Sequence, residues 1–503
     1  MDNHSHSHAT SLTALVLIIC SIWFFIKMVQ SSKTGKRNKI NLPPSPPKLP
    51  IIGHLHQVGR FPHRSLFSLS QKYGPLMLLY LGSKPAVVVS TADTAKEIFK
   101  TQDLSFSNRG VLKSFKRVFY DGKGVILSPY GDEWKKLRTI LVNHLLHNGK
   151  VKTFKSIIED EIDILIQKLK LSCLDSSPVN LTDLFVLLTS NTSRRAAFGK
   201  KLIETKRIEN YHAGLIAGAG AIQRFTVGEL IPWLSWIDKL NGFNMAVDRL
   251  MKTRDVEIND ILEGDTVSGE SMRDILIEMY RGDKTAATTI EDKDEIKALL
   301  LDVLAAGVET LATALGWTMA ELIRHPVVMR KLQDEVRGIL GRKQDITKED
   351  MEKMHYLKAV IKEIFRCHPP IPAYLRESRE DVNLKGYDIP SGTLVIINVW
   401  AINHDPNYWD EPEKFKPERF LRSPTDFKGF DFQFLPFGAG RRICPGISFS
   451  TTTIERVLAN LMHKFDWGLP NGAEGKDLDM SERSGLTVAL KNPLIVVPKN
   501  CYC

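Results

Sequence analysis

The amino-acid sequence predicts a mainly helical protein with a smaller β-rich part, carried behind an N-terminal transmembrane helix. Helical periodicity runs through most of residues 60–370 of the 503-residue chain. Short β-branched and apolar runs predict strands near Met77–Leu81, Ala86–Ser90, Val382–Leu384, Thr393–Asn398 and Leu486–Val497. A chain of this length buries a large core, and 43% hydrophobic and 25% charged residues are typical of a globular protein.

The first element is an apolar run from Ala9 to Val29, which has roughly the 20 residues needed to cross a bilayer. Basic residues follow this run, and positive charge stays on the cytosolic side, so the bulk of the chain is expected in the cytosol. A cleaved signal peptide is the alternative. The position of the basic residues and the lack of a small-residue cleavage site count against it.

The segment Leu42–Pro50 is rich in proline and predicts a stiff spacer between membrane and folded body. We therefore expect a lumenal tail and membrane anchor helix in residues 1–30, a basic and proline-rich hinge in 31–50, and the catalytic domain in 51–503.

Net charge is +10, and part of the excess directly follows the apolar run. This placement indicates contact with membrane lipid. No zinc-finger spacing or aromatic-basic RNA motif occurs, so no nucleic acid is expected as a partner. The six cysteines form no regular framework, which predicts a reducing compartment and no structural disulfides.

A nearly continuous helix signal runs from Asp294 to His325 and ends at Pro326. Its apolar middle resembles a second membrane span, but Asp302 and Glu309 argue against one, because an unpaired charge in lipid costs about 3 kcal/mol or more. The pattern instead predicts a buried helix that crosses a large protein.

In the middle of this helix an acid and a hydroxyl, Glu309 and Thr310, follow the small residues Ala306 and Gly307. The small residues leave space beside the backbone, and the threonine can loosen the helical hydrogen bonds. Such a groove suits a diatomic ligand and a proton path. Taken alone, the same residues fit a core helix whose threonine is satisfied by its own backbone.

Glu363 and Arg366 lie three residues apart on one helix face, and Arg419 follows on a later loop. These three residues could close a buried Glu-Arg-Arg network, which is costly to break from one side. Their predicted role is structural.

Residues 437–446 place Cys444 in a glycine-rich loop behind two arginines. The glycines let the backbone approach a flat, bulky group, and the arginines favour the thiolate. A thiolate on such a loop indicates an axial haem ligand. An isolated cysteine is more simply a buried, inert residue, and the surrounding loop residues decide against that interpretation.

Together these motifs resemble the cytochrome P-450 superfamily over the whole chain. The residues that carry the resemblance are Phe437 to Gly446, Ala306 to Thr310, Glu363 with Arg366, and Pro417 to Phe420. The cysteine loop and Lys72 to Leu76 are similar to the plant microsomal A-type group of specialised metabolism. Two positions depart from the usual pattern. Leu311 stands where a second hydroxyl residue is common, and Cys367, where leucine is common, is interpreted as packing.

The resemblance implies the cytochrome P-450 fold, haem b (iron protoporphyrin IX) as cofactor and Cys444 as the ligand of its iron. Further contacts with the haem are implied for Phe437, Gly438, Gly440, Ala306 and Gly307. The haem propionates would be held by Trp134, Arg138, Arg376 and Arg442. Without the resemblance, Trp134 is simply a core residue and Arg138 a surface residue.

The implied activity is that of an NADPH- and O2-dependent monooxygenase in which Thr310 and Glu309 handle protons. Electrons would come from a membrane-bound NADPH–cytochrome reductase, with cytochrome b5 as a further candidate. Lys135, Lys136 and Arg441 are candidates for a basic docking face, and an ordinary solvated surface explains them equally well. The implied location is the endoplasmic reticulum membrane, with a single span and the catalytic domain in the cytosol.

By the same resemblance, four stretches line the substrate pocket: Arg109–Phe115, Val303–Gly307, Pro372–Leu375 and Ser484–Thr487. The individual candidates are Phe115, Val303, Ala306, Ala373, Tyr374 and Leu486. This mainly apolar lining predicts a small lipophilic substrate, such as a terpenoid, alkaloid or phenolic/coumarin, that undergoes hydroxylation, epoxidation or oxidative cyclisation. Two alternatives are a haem-thiolate isomerase or dehydratase that needs neither O2 nor a reductase, and a non-enzymatic haem protein. The acid–hydroxyl pair counts against both.

Overall fold

A computed structural model of the chain describes residue 21 and residues 40–110, 113–199, 227–263, 271–282 and 289–499. The predicted membrane anchor, apart from residue 21, and the basic segment that follows it lie outside the described residues.

Helices make up most of the described structure. In chain order they are α1 Pro62–Tyr73, α2 Ala92–Lys96, α3 Lys113–Val118, α4 Asp132–Ile140, α5 Asn148–Leu174, α6 Leu181–Phe198, α7 Val227–Leu230, α8 Ile237–Leu240, α9 Phe243–Glu263, α10 Met272–Arg281, α11 Lys293–Arg324, α12 Pro326–Leu340, α13 Lys348–Lys353, α14 His355–Cys367, α15 Val399–Asn403, α16 Glu418–Leu421 and α17 Ile447–Lys464. Helices α2 and α4 each continue into a π-helical turn, at Glu97–Thr101 and Leu141–Leu145 respectively.

The strands form a smaller β-rich part, as the sequence predicts. They are β1 Leu76–Leu81, β2 Lys84–Val89, β3 Val179–Asn180, β4 Ala373–Glu377, β5 Val382–Leu384, β6 Tyr387–Ile389, β7 Leu394–Asn398, β8 Asp466–Gly468, β9 Glu482–Arg483, β10 Ala489–Leu490 and β11 Ile495–Lys499. The largest sheet has the order β1-β2-β7-β4, with β2 and β7 parallel and the outer pairs antiparallel. The predicted run Leu486–Val497 divides into two strands, β10 and β11.

Helix α11 is the long helix that the sequence predicts. It begins at Lys293 and ends at Arg324, each one residue before the predicted end. The Asp292 side chain accepts the N–H of Asp294 and caps its start, and Pro326 begins the next helix. The helix is long and apolar enough to cross a membrane, but 67% of its most apolar window is buried inside the protein. It is therefore a core helix, packed along α6 and against α14 and α17.

Part of the predicted hinge packs on the folded body. The carbonyl oxygen of Pro44 accepts the N–H of Leu78 in β1 at 2.8 Å, and the ring Nε2 of His54 lies 2.8 Å from the carbonyl oxygen of Pro46. Pro44 and Pro46 thus lie against β1 and against His54 at the start of the folded body.

Candidate active site

Cys444 lies between a short 3-10 turn, Gly440–Arg442, and the start of α17. Its backbone N–H donates to the carbonyl oxygen of Phe437 at 3.0 Å, which closes the loop around the sulfur. Burial raises the pKa of the thiol, and the N–H of Gly446 and nearby arginines oppose this effect. Because the sulfur is buried, a further positive charge bonded to it, such as a metal ion, would favour the thiolate.

The glycines of this loop are required by its conformation and packing. Gly438 and Gly440 have φ of 71° and 69°, a region that favours glycine. A Cβ at Gly440 would lie 2.6 Å from the carbonyl oxygen of Phe99. Phe437 packs edge-on against Phe365, with ring centroids 5.1 Å apart. The side of each glycine on which a Cβ would project therefore faces protein. Contact with a flat ligand would be a second reason for glycine at these positions.

Four arginines from distant segments converge beside Cys444: Arg109, Arg138, Arg376 and Arg442. Burial lowers the pKa of all four guanidinium groups, and repulsion between arginines adds to this for Arg109, Arg376 and Arg442. The pKa of Arg442 falls to about 9. Within the described ranges none of the four pairs with a carboxylate. The nearest acid, Asp103, is 3.0 Å from Nη1 of Arg441 and pairs with it.

Two of these arginines keep unused donors in the interior. Nε of Arg109 and Nη1 of Arg376 are buried and have no hydrogen-bond acceptor among the described residues. Unpaired buried cations are costly unless a partner anion is supplied. A ligand with two carboxylates and a metal for the sulfur matches this donor set, and haem b, with its two propionates and its iron, has these groups.

Two of the predicted propionate ligands, Trp134 and Arg442, also have hydrogen-bond partners within the protein. Trp134 donates its indole N–H to the carbonyl oxygen of Val125 at 3.0 Å, and its ring lies 4.7 Å from Cζ of Arg442. Arg442 donates to the carbonyl oxygens of Ser107 and Ser128 at 2.5 and 2.6 Å. These two side chains therefore also hold the backbone at Ser107 and at residues 125–128.

Arg109 is the member of the cluster that sequence reasoning missed. It lies in a stretch expected to line the substrate pocket, and no local motif connects it with the other arginines. Its Nη1 donates to the carbonyl oxygen of Leu375 at 3.2 Å, which directs the guanidinium toward Arg376. Arg138 donates to the carbonyl oxygen of Ile443, directly before the cysteine, at 2.6 Å.

One stripe on the middle of α11 is less buried than the residues around it. Val303, Ala306, Gly307 and Thr310 are accessible, while nearly all other residues from 298 to 323 are buried. The spacing of i, i+3, i+4 and i+7 places all four on one helix face. The Cβ that Gly307 lacks would lie 2.8 Å from the hydroxyl of Ser193, so the glycine also lets α6 approach closely.

The acid–hydroxyl pair on α11 is partly exposed and already has hydrogen-bond partners. The hydroxyl of Thr310 donates to the carbonyl oxygen of Ala306 at 2.6 Å, as in a threonine satisfied by its own helix. The carboxylate of Glu309 lies 3.5 Å from Nη2 of Arg483, at the end of β9. This ion pair connects α11 to the turn between β9 and β10.

The predicted substrate-lining residues have different surroundings. Phe115 stacks on Phe119 with ring centroids 6.3 Å apart. Leu486 is exposed at the turn after β9, and Ala373 packs on the apolar cluster below the large sheet. Tyr374 differs from the others, because its hydroxyl donates to the cysteine loop.

In the Glu-Arg-Arg network Glu363 and Arg366 are completely buried, and the Arg419 side chain is 10% exposed. Glu363 accepts two hydrogen bonds of 2.9 Å from Arg366, and both side chains are 0% exposed. Nε of Arg419 lies 3.0 Å from the same carboxylate. Arg366 also donates to the carbonyl oxygens of Asn403 and Pro412. The network joins α14 to the long loop before the cysteine, which supports a structural role. Cys367 lies beside it as a buried thiol whose pKa is raised by burial.

Comparisons with known proteins identify the family. The family model for cytochrome P-450 matches residues 43–497. The chain is 43% identical to a norfluorocurarine oxidase from Strychnos over 97% of both chains. It is 44% identical to a tabersonine/lochnericine 19-hydroxylase from Catharanthus roseus, over 92% of this chain and 93% of that protein. The (+)-menthofuran synthase of Mentha piperita is 41% identical over 96% and 98%.

Among solved structures, a zebrafish cytochrome P-450 with abiraterone superposes with a TM-score of 0.75 at 25% identity, covering 88% of this chain and 100% of that one. The chain belongs to the cytochrome P-450 family. Its plant relatives place it in the A-type group, as a monooxygenase of specialised metabolism.

Proposed function

We propose that the protein is an NADPH- and O2-dependent monooxygenase that oxidises a small lipophilic plant metabolite: a terpenoid, alkaloid or phenolic/coumarin. The oxidation would be a hydroxylation, an epoxidation or an oxidative cyclisation, and each of these is compatible with a monooxygenase. The observation that carries the proposal is the cluster of arginines without carboxylate partners beside Cys444. Relatives named as an oxidase, a hydroxylase and a synthase support the reaction class.

In this proposal Cys444 binds the iron of haem b, and Arg109, Arg138 and Arg376 hold its propionates. The haem supplies the oxidising chemistry when it is bound. The buried donors of Arg109 and Arg376 would then be satisfied, and the raised thiol pKa of Cys444 would be offset by the metal charge.

Thr310 and Glu309 would control protons on the open stripe of α11. The Thr310 hydroxyl donates to Ala306, so its oxygen lone pairs remain available to accept a hydrogen bond from a proton donor. Glu309 is half-buried and paired with Arg483, where it can exchange protons with solvent. The two groups are adjacent in sequence and both accessible, which suits a relay from solvent to the stripe.

The substrate would bind along this stripe through apolar burial. Val303 and Ala306 supply the α11 side. Phe115 on α3, Ala373 on β4 and Leu486 in the turn after β9 would supply the rest. Few polar groups occur among these residues, so orientation would come from shape and from a small number of hydrogen bonds.

Electrons would reach the haem from a membrane-bound NADPH–cytochrome reductase, with cytochrome b5 as a further donor, at the endoplasmic reticulum membrane. Two of the predicted docking residues are accessible, since the side chains of Lys135 and Arg441 are 54% and 46% exposed. Lys136 is 14% exposed and lies between Glu133 and Glu295, which makes it a poor docking residue.

The test is expression of the full chain in microsomes together with a reductase, with terpenoid, alkaloid and phenolic pools as substrates. A product that has gained one oxygen or lost two hydrogens, and that requires both NADPH and O2, is the expected result. A product formed without NADPH would replace the proposal with an isomerase or dehydratase. No product from correctly loaded protein would contradict it.

A matched pair of α11 variants tests the proton relay. Thr310→Val should consume NADPH with much less product. Thr318→Val removes the same kind of hydrogen bond, to Ala314, from the buried part of the helix. The control should keep the wild-type ratio of product to NADPH. Equal ratios in both variants would remove Thr310 from the mechanism.

A further inference from the structure

Tyr374 makes its polar contacts with the cysteine loop. Its hydroxyl donates to the carbonyl oxygens of Leu435 and Pro436, at 2.8 and 2.6 Å. Its ring is 3.6 Å from the position that a Cβ at Gly438 would take. The side chain thus contacts three of the four residues 435–438, where the cysteine loop begins.

The orientation of Tyr374 follows from the strand that carries it. Side chains alternate along β4, so Ala373 and Leu375 pack on the cluster below the sheet, while Tyr374 packs on the opposite cluster beside the loop. Antiparallel pairing of Tyr374 with Ile397 in β7 fixes the backbone of this position. The tyrosine is therefore presented to the loop by a rigid sheet.

The contacted residues are directly connected to the sulfur ligand. Leu435 and Pro436 precede Phe437, whose carbonyl oxygen accepts the N–H of Cys444 at 3.0 Å. Leu435 also accepts the N–H of Gly438 at 3.1 Å, which forms the turn at the start of the loop. A shift of this turn would move the carbonyl that holds Cys444.

The Tyr374 hydroxyl keeps its proton and can therefore donate hydrogen bonds to the loop. Burial raises the pKa of Tyr374, and the negative charge of a Cys444 thiolate raises it further, so the hydroxyl remains a donor. Arg109 lies close enough to influence the same group. The charges of both Arg109 and Cys444 therefore act on this phenol group.

We infer that Tyr374 is a positioning residue for the cysteine ligand: its hydroxyl fixes the turn at Leu435–Gly438 and thereby holds the Cys444 sulfur in the position that iron requires. The inference rests on the proposed role of Cys444 as haem ligand. The sequence predicts Tyr374 in the lining of the substrate pocket, and the inference adds a separate role for its hydroxyl.

The test compares Tyr374→Phe with wild type and with Tyr356→Phe, using the haem-loaded full chain. Tyr356 on α14 donates a hydrogen bond from its hydroxyl to the carboxylate of Glu418 on α16 at 3.0 Å. This control therefore loses one tyrosine hydrogen bond away from the cysteine loop. The ferrous carbon-monoxide complex shows a long-wavelength Soret band while the thiolate is bound. The rate at which this band converts to the short-wavelength band measures loss of the ligand.

We expect Tyr374→Phe to lose the thiolate about five-fold faster than wild type, the factor that corresponds to one net hydrogen bond. The haem reduction potential should shift in the same variant. Haem content should stay unchanged, and the thermal unfolding midpoint should fall by no more than in Tyr356→Phe. Tyr356→Phe should keep both the wild-type rate and the wild-type potential.

Equal rates in Tyr374→Phe and wild type would overturn the inference. Equal acceleration in both phenylalanine variants would also overturn it, because the effect would then be general loss of stability. A wild-type protein without the long-wavelength band would instead refute Cys444 as the thiolate ligand, and the inference would be refuted with it.

Discussion

Asp302 is a carboxyl group in the middle of α11, 3% exposed, whose ionisation we expect to weaken the fold near neutral pH. Its Oδ2 accepts the backbone N–H of Ile126 at 3.1 Å. The neighbouring carbonyl of Val125 accepts the indole N–H of Trp134 and a donor of Arg442. The carboxyl group therefore supports the loop that holds part of the proposed haem site.

The sign and size of the effect follow from the pKa. Burial raises the pKa of Asp302 to about 7, and the N–H groups of Ile126 and Val125 oppose it. The unfolded chain has a pKa near 3.9 for this group. Because the folded protein binds the proton more tightly, the stabilisation is complete below about pH 4 and is lost as pH rises to about 7. A difference of about three units corresponds to about 4 kcal/mol.

Asp302→Asn isolates this contribution. The asparagine keeps an oxygen acceptor for the N–H of Ile126 but cannot ionise. Urea unfolding of haem-loaded protein between pH 5 and 8 is followed by tryptophan fluorescence. Relative to the variant, wild type should lose about 1.4 kcal/mol per pH unit between roughly pH 5 and 7. The control is Asp334→Asn, which changes an exposed acid on α12.

Parallel pH profiles for wild type and Asp302→Asn would refute this reasoning. They would mean that the carboxyl group is solvated or paired in the folded protein. A wild type that gains stability relative to the variant as pH rises would show that the carboxylate, and not the acid, is the favoured form. The profile of Asp334→Asn should remain parallel to wild type throughout.

Three further outcomes are expected. Glu363→Gln leaves Arg366 and Arg419 buried with a weaker partner and should lower the free energy of unfolding by about 3–5 kcal/mol in urea titrations; a loss below about 1 kcal/mol, as for an exposed ion pair, would show that the network is solvated. Gly440→Ala should reduce haem retention during gel filtration, because the added Cβ would lie 2.6 Å from a carbonyl oxygen at positive φ, and wild-type retention would contradict that packing. Cys444→Ser should lose the long-wavelength carbon-monoxide band while far-ultraviolet circular dichroism is unchanged; persistence of the band would exclude Cys444 as the ligand.

Local sequence signals predicted the elements that depend on neighbouring residues. The end of α11 follows from Pro326, and the observed helix ends at Arg324, two residues earlier. The Glu363–Arg366 pair is three residues apart on one helix, so its contact could also be expected. The strand β4 was missed, since its residues Ala373–Glu377 are mostly half-buried and show no apolar alternation.

The arginine cluster could be predicted only in part, because it is assembled by long-range contacts. Arg109 enters it through the carbonyl of Leu375, which is distant in sequence. The carbonyl acceptors that occupy Arg442 lie on a loop that no motif marks. Sequence types show which side chains can bind an anion. Which donors remain free depends on the backbone around them.

The free and occupied donors together explain how the site is prepared for a dianionic cofactor. Backbone carbonyls hold Arg109 and Arg138 in place without neutralising them, so these side chains lose little entropy on binding. Burial and mutual repulsion remain, as the lowered pKa values of Arg109 and Arg376 show. A ligand that brings two carboxylates relieves this repulsion, and the relief is part of its binding free energy. Positive charge beside the cysteine loop is therefore unfavourable until an anionic partner binds. Haem retention should depend on the arginines as well as on the sulfur.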